Sequence, residues 1–179
     1  MRRGGWALAG LLAACAGDPG AGQDCGVPLD PGPMTPARAS ALAPEVRTGL
    51  GLSATWIRGD CRPRDPDAVP VDACGAGLCL RTRAPLRILV VPANVSVPLS
   101  PACGGAPRAD ALAPLAVVDG VASPQGELVV AVPPGVYSPY LVAGAGCAPC
   151  GDPGAGACAV VVEDGAVATR DLVLDEAAR

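Results

Sequence analysis

The chain has no histidine, no phenylalanine and no lysine; all 13 of its basic residues are arginine. Without His there is no Ser-His or Cys-His catalysis and no His-ligated metal site. Without Lys there is no Ser-Lys dyad, no Schiff-base chemistry and no Lys-based isopeptide cross-link. Aromatic residues make up only 2% of the chain, so few large side chains are available to fill a core. Positive charge is also scarce: 13 basic residues face 17 acidic ones, and two of the arginines, Arg2 and Arg3, lie at the extreme N-terminus. That balance argues against a nucleic-acid or anionic-lipid partner, since both require clustered basic residues. No Gly-rich phosphate loop or nucleophile elbow is present. No carboxylate pair is singled out by spacing as a glycosidase pair would be.

What is present begins at the N-terminus. The apolar run Trp6 to Ala14 is too short for a bilayer-spanning helix, which needs about 20 residues. Arg2 and Arg3 precede it and small residues end it, the pattern of a secretory signal. Gly4, Gly5 and Gly10 weigh against a buried first helix. Leu12-Ala13-Ala14-Cys15 resembles the lipobox of bacterial lipoproteins. The resemblance implies cleavage before Cys15, a diacylglycerol thioether on its sulfur and an acylated amino group. Each buried CH₂ adds about 0.8 kcal/mol, and more than one chain makes anchoring stable. Ala16, standing where a sorting Asp would be, implies the outer membrane. The expected partition is a signal peptide over 1–14, a lipidated Cys and disordered Pro/Gly/Ala-rich tether over 15–48, and one domain over 49–176.

Eight cysteines remain besides Cys15: Cys25, Cys61, Cys74, Cys79, Cys103, Cys147, Cys150 and Cys158. An even count in an exported chain reads as a disulfide framework whose connectivity spacing does not settle. Cys74 with Cys79, across a four-residue loop, is the expected local pair. The apolar residues are mainly Val, Leu and Ala, interrupted by 21 Pro and 24 Gly, which suits short strands and many turns. "GLSATWI" reads as a strand with Leu52, Ala54 and Trp56 on one face and Ser53, Thr55 and Ile57 on the other. "LRILVVP" reads as a buried strand and "LAVVDGVA" as another, with Asp119-Gly120 either a hairpin turn or a bulge. Residues 36–47 have room for one helical turn, with Pro44 interrupting it.

The C-terminal third is the most legible part. Ser123-Pro124-Gln125-Gly126 fits a type I turn, and Pro133-Pro134-Gly135-Val136 a type II turn with Gly135 at positive φ. "AVVVE", the turn Asp164-Gly165 and "AVATRDLVL" read as a final hairpin. Gly126, Leu128, Pro133, Pro134, Gly135 and Tyr137, within "SPQGELVVAVPPGVYSPYLV", resemble the C-terminal half of a carboxypeptidase regulatory-like domain. The resemblance implies an all-β fold, a single transthyretin-like β-sandwich, without catalytic residues. Leu128 departs from it, since an aromatic is common there.

Three chemical candidates stand out. Cys147-Ala-Pro-Cys150 has the spacing of a thiol-disulfide oxidoreductase or of half a zinc site, but its Gly/Pro-rich flanks make a loop, which favours structural disulfides. Asp65, Asp67 and Asp72 crowd one loop, where prolines and arginines favour a solvated segment over Ca²⁺. Trp56, Tyr137 and Tyr140 are candidate ligand contacts, as in a carbohydrate-binding module, against the alternative that they fill the core. "DPGAG" at 18–22 and 152–156 reads as loop composition. "NVS" at 94–96 is discounted as a glycosylation acceptor because the lipobox points to a bacterium. The expectation is a disulfide-stapled outer-membrane lipoprotein, with no enzyme activity, no cofactor and no metal. Its partners would be the membrane, through the lipid, and an envelope protein or glycan.

Overall fold

A computed structural model describes residues 32–58, 80–144, 146–150 and 158–176. The signal segment, Cys15, Cys25, Cys61, Cys74, Cys79, the Asp65/Asp67/Asp72 loop and both DPGAG stretches lie outside the described residues.

The elements are α1 (Pro36–Leu42), β1 (Gly49–Arg58), β2 (Leu80–Arg83), β3 (Arg87–Pro92), α2 (Ala109–Leu112), β4 (Val118–Val121), β5 (Glu127–Ala131), β6 (Gly135–Leu141), β7 (Val160–Val162) and β8 (Val167–Asp175). They build two four-stranded sheets. In sheet A, β1 is central. β8 runs parallel along one side of it, while β5 and β2 pair antiparallel with its first and second halves on the other. In sheet C the order is β4-β3-β6-β7, all antiparallel.

Alternation along each strand explains why the sheets face each other. Leu50, Leu52 and Ala54 of β1, Ile88 and Val90 of β3, Tyr137 and Leu141 of β6, Val160 and Val162 of β7 and Leu172 and Leu174 of β8 form one buried cluster. Period-two spacing puts these residues on one side of each strand. Burying a Leu fully contributes about 1.5–3 kcal/mol, so this dry layer is the main stabilising feature of an aromatic-poor chain.

The expected all-β, transthyretin-like β-sandwich is not what forms: the fold is mixed α/β, with two sheets and two short helices. Helix α1 is capped by the Thr35 hydroxyl, which accepts from the Arg38 N–H, and Pro36 occupies its first turn. Pro is tolerated there because its missing N–H has no partner to lose. Pro44 lies one residue beyond the C-cap Ala43, so it ends the helix and does not interrupt it. Residues 32–48, given to the tether by their composition, therefore lie against the domain: Met34 and Ala39 are buried on the outer face of sheet A. Helix α2 arises in a stretch read as irregular and covers the outer face of sheet C, where Leu89, Val91, Ala109, Leu112 and Ala148 make a second buried cluster.

Three turn expectations also change. Gly135 does not have positive φ; it begins β6, and a Cβ there would sit 3.3 Å from the Tyr137 ring. The final hairpin does not form, because β7 pairs with β6 and β8 pairs with β1. The Asp164-Gly165 turn, with Gly165 at φ 72°, instead carries the chain from one sheet to the other. The Ser123 to Gly126 turn is as expected: Gly126 N–H donates to the Ser123 carbonyl at 2.8 Å. Asp119-Gly120 is neither a hairpin turn nor a bulge; β4 runs through it in unbroken register with β3.

Candidate functional site

The disulfides of the described residues centre on the CAPC stretch. Cys147 is bonded to Cys103 and Cys150 to Cys158, so the two sulfurs of the motif go to different partners. Backbone pairing explains why. Ala143 N–H donates to the Cys147 carbonyl, Ala148 N–H to the Pro107 carbonyl and Leu141 N–H to the Pro149 carbonyl, which holds the segment extended. Three extended steps of ~3.3 Å separate the Cys147 and Cys150 Cα atoms by about 10 Å. A disulfide spans at most about 7 Å between Cα atoms. An oxidoreductase motif closes on itself at a helix start, and this one is built as a strand-like cross-link point.

The first bond ties the short 3₁₀ turn Pro101–Cys103 to the strand-like segment beside β6. Together with α2 it clamps a small lobe over Leu89 and Val91, with Ala148 fully buried beneath it. Tyr140 packs into this cluster from β6, and burial pushes its phenol pKa up against a hydrogen bond with Ser138.

The three aromatic candidates are not brought together. Trp56 packs against the main core from sheet A, and its Nε1 donates to Glu176 Oε2 at 3.0 Å. Tyr137 is 6% exposed in the same core, and its hydroxyl donates to the Pro133 carbonyl at 2.8 Å. Tyr140, three residues on, faces the opposite side of sheet C. No platform for a sugar ring results from these three side chains. Among the described residues no three Cys, Asp or Glu side chains gather where a metal ion could sit.

Features not visible from composition are the clefts and ion pairs. An apolar cleft of about 330 Å³ lies at one end of sheet C between Val117, Pro92, Val136 and Pro133. On the outer surface of sheet C, Arg87 donates to both carboxylate oxygens of Asp119 at 2.7 and 2.6 Å. The cross-strand neighbours Arg87↔Val121 and Leu89↔Asp119 place this pair at a strand edge. The Arg87 hydrogen bond holds the Asp119 carboxyl below the usual carboxylate range. A carboxylate with a depressed folded pKa stabilises above its unfolded pKa and loses that contribution as pH falls through the folded value. Both side chains are exposed, so the effect on stability is small. In Arg87→Ala, NMR titration should show Asp119 titrating at higher pH than in the parent, with the melting temperature little changed.

The chain matches no protein-family model. No characterised protein and no solved structure is significantly similar to it either. The likeness to carboxypeptidase regulatory-like domains therefore rests on its turn residues alone, and the mixed α/β architecture is at odds with it.

Proposed function

We propose that this chain is an exported, lipid-anchored envelope protein whose disulfide-stapled domain has a non-catalytic structural or binding role. The observation that carries the reading is the commitment of both CAPC sulfurs to separate cross-links, Cys103–Cys147 and Cys150–Cys158. Disulfides used as staples belong to oxidising compartments, and the Arg2-Arg3 start and Leu12-Ala-Ala-Cys15 end of the leader name the route there. The apolar cleft at Val117 and Val136 is a feature of the kind used for contact with another molecule. No helix among the described residues is long and apolar enough to cross a membrane. Attachment in this reading depends on the lipid at Cys15.

The test is the intact mass of native protein extracted from membranes and alkylated without reductant. The expected result is a chain beginning at Cys15, carrying lipid mass, with no alkylated thiol at Cys103, Cys147, Cys150 or Cys158. In Cys15→Ser the lipid mass should vanish and the protein should leave the membrane fraction. Membrane retention of that variant would overturn the anchor. Alkylated Cys147 and Cys150 would instead favour a thiol-disulfide oxidoreductase.

A further inference from the structure

Both sheets have a cover on their outer face, and the two covers are held in different ways. Over sheet C the cover hides apolar side chains, Leu89 and Val91, and is tied down covalently by Cys103–Cys147. Over sheet A the cover is residues 32–43, and the face beneath it is largely polar. Gly51, Ser53 and Thr55 of β1 lie beside Thr169, Asp171 and Val173 of β8 in the register of the sheet.

The sheet A cover is held by a small apolar anchor and by polar bonds. Ala39 sits over Gly51, where a Cβ would come within 2.7 Å of the Ala39 Cβ, and Met34 lies alongside. Met34 N–H donates to Asp171 Oδ1 at 3.0 Å, and the Ser53 hydroxyl donates to the same oxygen. Arg83 donates to the Gly32 carbonyl and stands 3.7 Å from Asp171. Arg38 donates to Glu127 on β5.

The cover does not seal at its C-terminal end. A cleft of about 400 Å³ opens between Leu42 and Ala43 on one side and Glu127 and Val129 on the other. A second, of about 230 Å³, separates Ser40 and Val46 from Gly165 and Val167. Leu42 is 49% exposed.

Lifting residues 32–43 would wet Met34, Ala39 and Ala43 and return polar groups to water, where Asp171 keeps Ser53 and Arg83 as neighbours. Lifting the sheet C cover would expose Leu89 and Val91 and require a bond to break. We infer that residues 32–43 are a releasable strap: a local opening unit that detaches from sheet A while both sheets and the disulfide lobe stay folded. The inference rests on the anchoring proposal for its use. Detachment of 32–43 adds about 3.3 Å of reach per residue to a lipid tether and uncovers the Ser53-Asp171-Arg83 face.

Hydrogen exchange on the full chain in detergent, with disulfides intact, tests the strap whether or not lipid is attached. The N–H groups of Ala39 and Ala43, bonded to the Thr35 and Ala39 carbonyls, should exchange at least roughly 100-fold faster than those of β1 between Leu50 and Thr55. Arg38→Ala should speed strap exchange roughly tenfold and leave β1 unchanged. Equal protection of α1 and β1, or a loss of protection shared by both in Arg38→Ala, would overturn the strap. Fast strap exchange in a chain whose mass shows no lipid would keep the strap and refute the anchor.

Discussion

Replacing Cys103 and Cys147 together with Ser should cost about 4 kcal/mol of unfolding free energy. The bond closes a loop with a sequence separation of 44 residues, long enough for the chain-entropy contribution to be large. It also holds the lobe whose removal would wet Leu89, Val91 and Leu112, all fully buried. Urea unfolding under non-reducing conditions, with Cys150–Cys158 intact, measures the loss. A double variant as stable as the parent would mean that α2 and the 3₁₀ turn hold the lobe by packing alone.

Gly49→Val should have an effect of similar size for an unrelated reason. A Cβ at Gly49 would lie 2.2 Å from the Val130 carbonyl oxygen and 3.1 Å from the Ala131 Cα, both backbone atoms. A flexible neighbour can swing aside, but a paired strand cannot do so without breaking the ladder Gly49↔Ala131, Leu50↔Val130. Overpacking costs about 1–3 kcal/mol and each lost backbone hydrogen bond about 1 kcal/mol more. A total of about 3–5 kcal/mol is a large part of the stability of an ordinary domain. Gly144→Ala is the control: nothing lies within 4 Å of a Cβ there, and a change under about 0.5 kcal/mol is expected. A Gly49→Val melting curve that overlays the parent's would show that β5 can shift away from β1.

These two sites illustrate what the sequence shows and what it hides. Alternation in Leu52-Ser-Ala54-Thr-Trp56 marks a strand and its buried face, and the structure places Leu52 and Ala54 in the core with Trp56 packed against it. Alternation does not name the neighbouring strand. Val160 to Val162 and Val167 to Leu174 read equally well as a hairpin, and only the tertiary arrangement sends them to different sheets. Strand β2, Leu80–Arg83, carries no apolar alternation and is held by its pairing to the second half of β1. Helix α1 was obscured by Pro44, which acts one residue past the cap. At the candidate site, the cysteine count pointed to cross-links, but the partners follow from the extended course of 147–149, a property of long-range backbone pairing. The aromatic residues are few and large. Parity along β6 sends Tyr137 and Tyr140 to opposite sides, and with Trp56 in the other sheet they cannot act as one surface.

The parallel pairing of β1 with β8 has a kinetic meaning. Gly49 meets Val167 and Ile57 meets Asp175, so the central strand of sheet A waits for nearly the whole chain before its longest partner arrives. Contacts between residues so distant in sequence are slow to form, because the intervening loop must close before any pairing contributes. Cys103, Cys147, Cys150 and Cys158 all precede β8, so in N-to-C synthesis every sulfur of the two cross-links is made before sheet A can be completed.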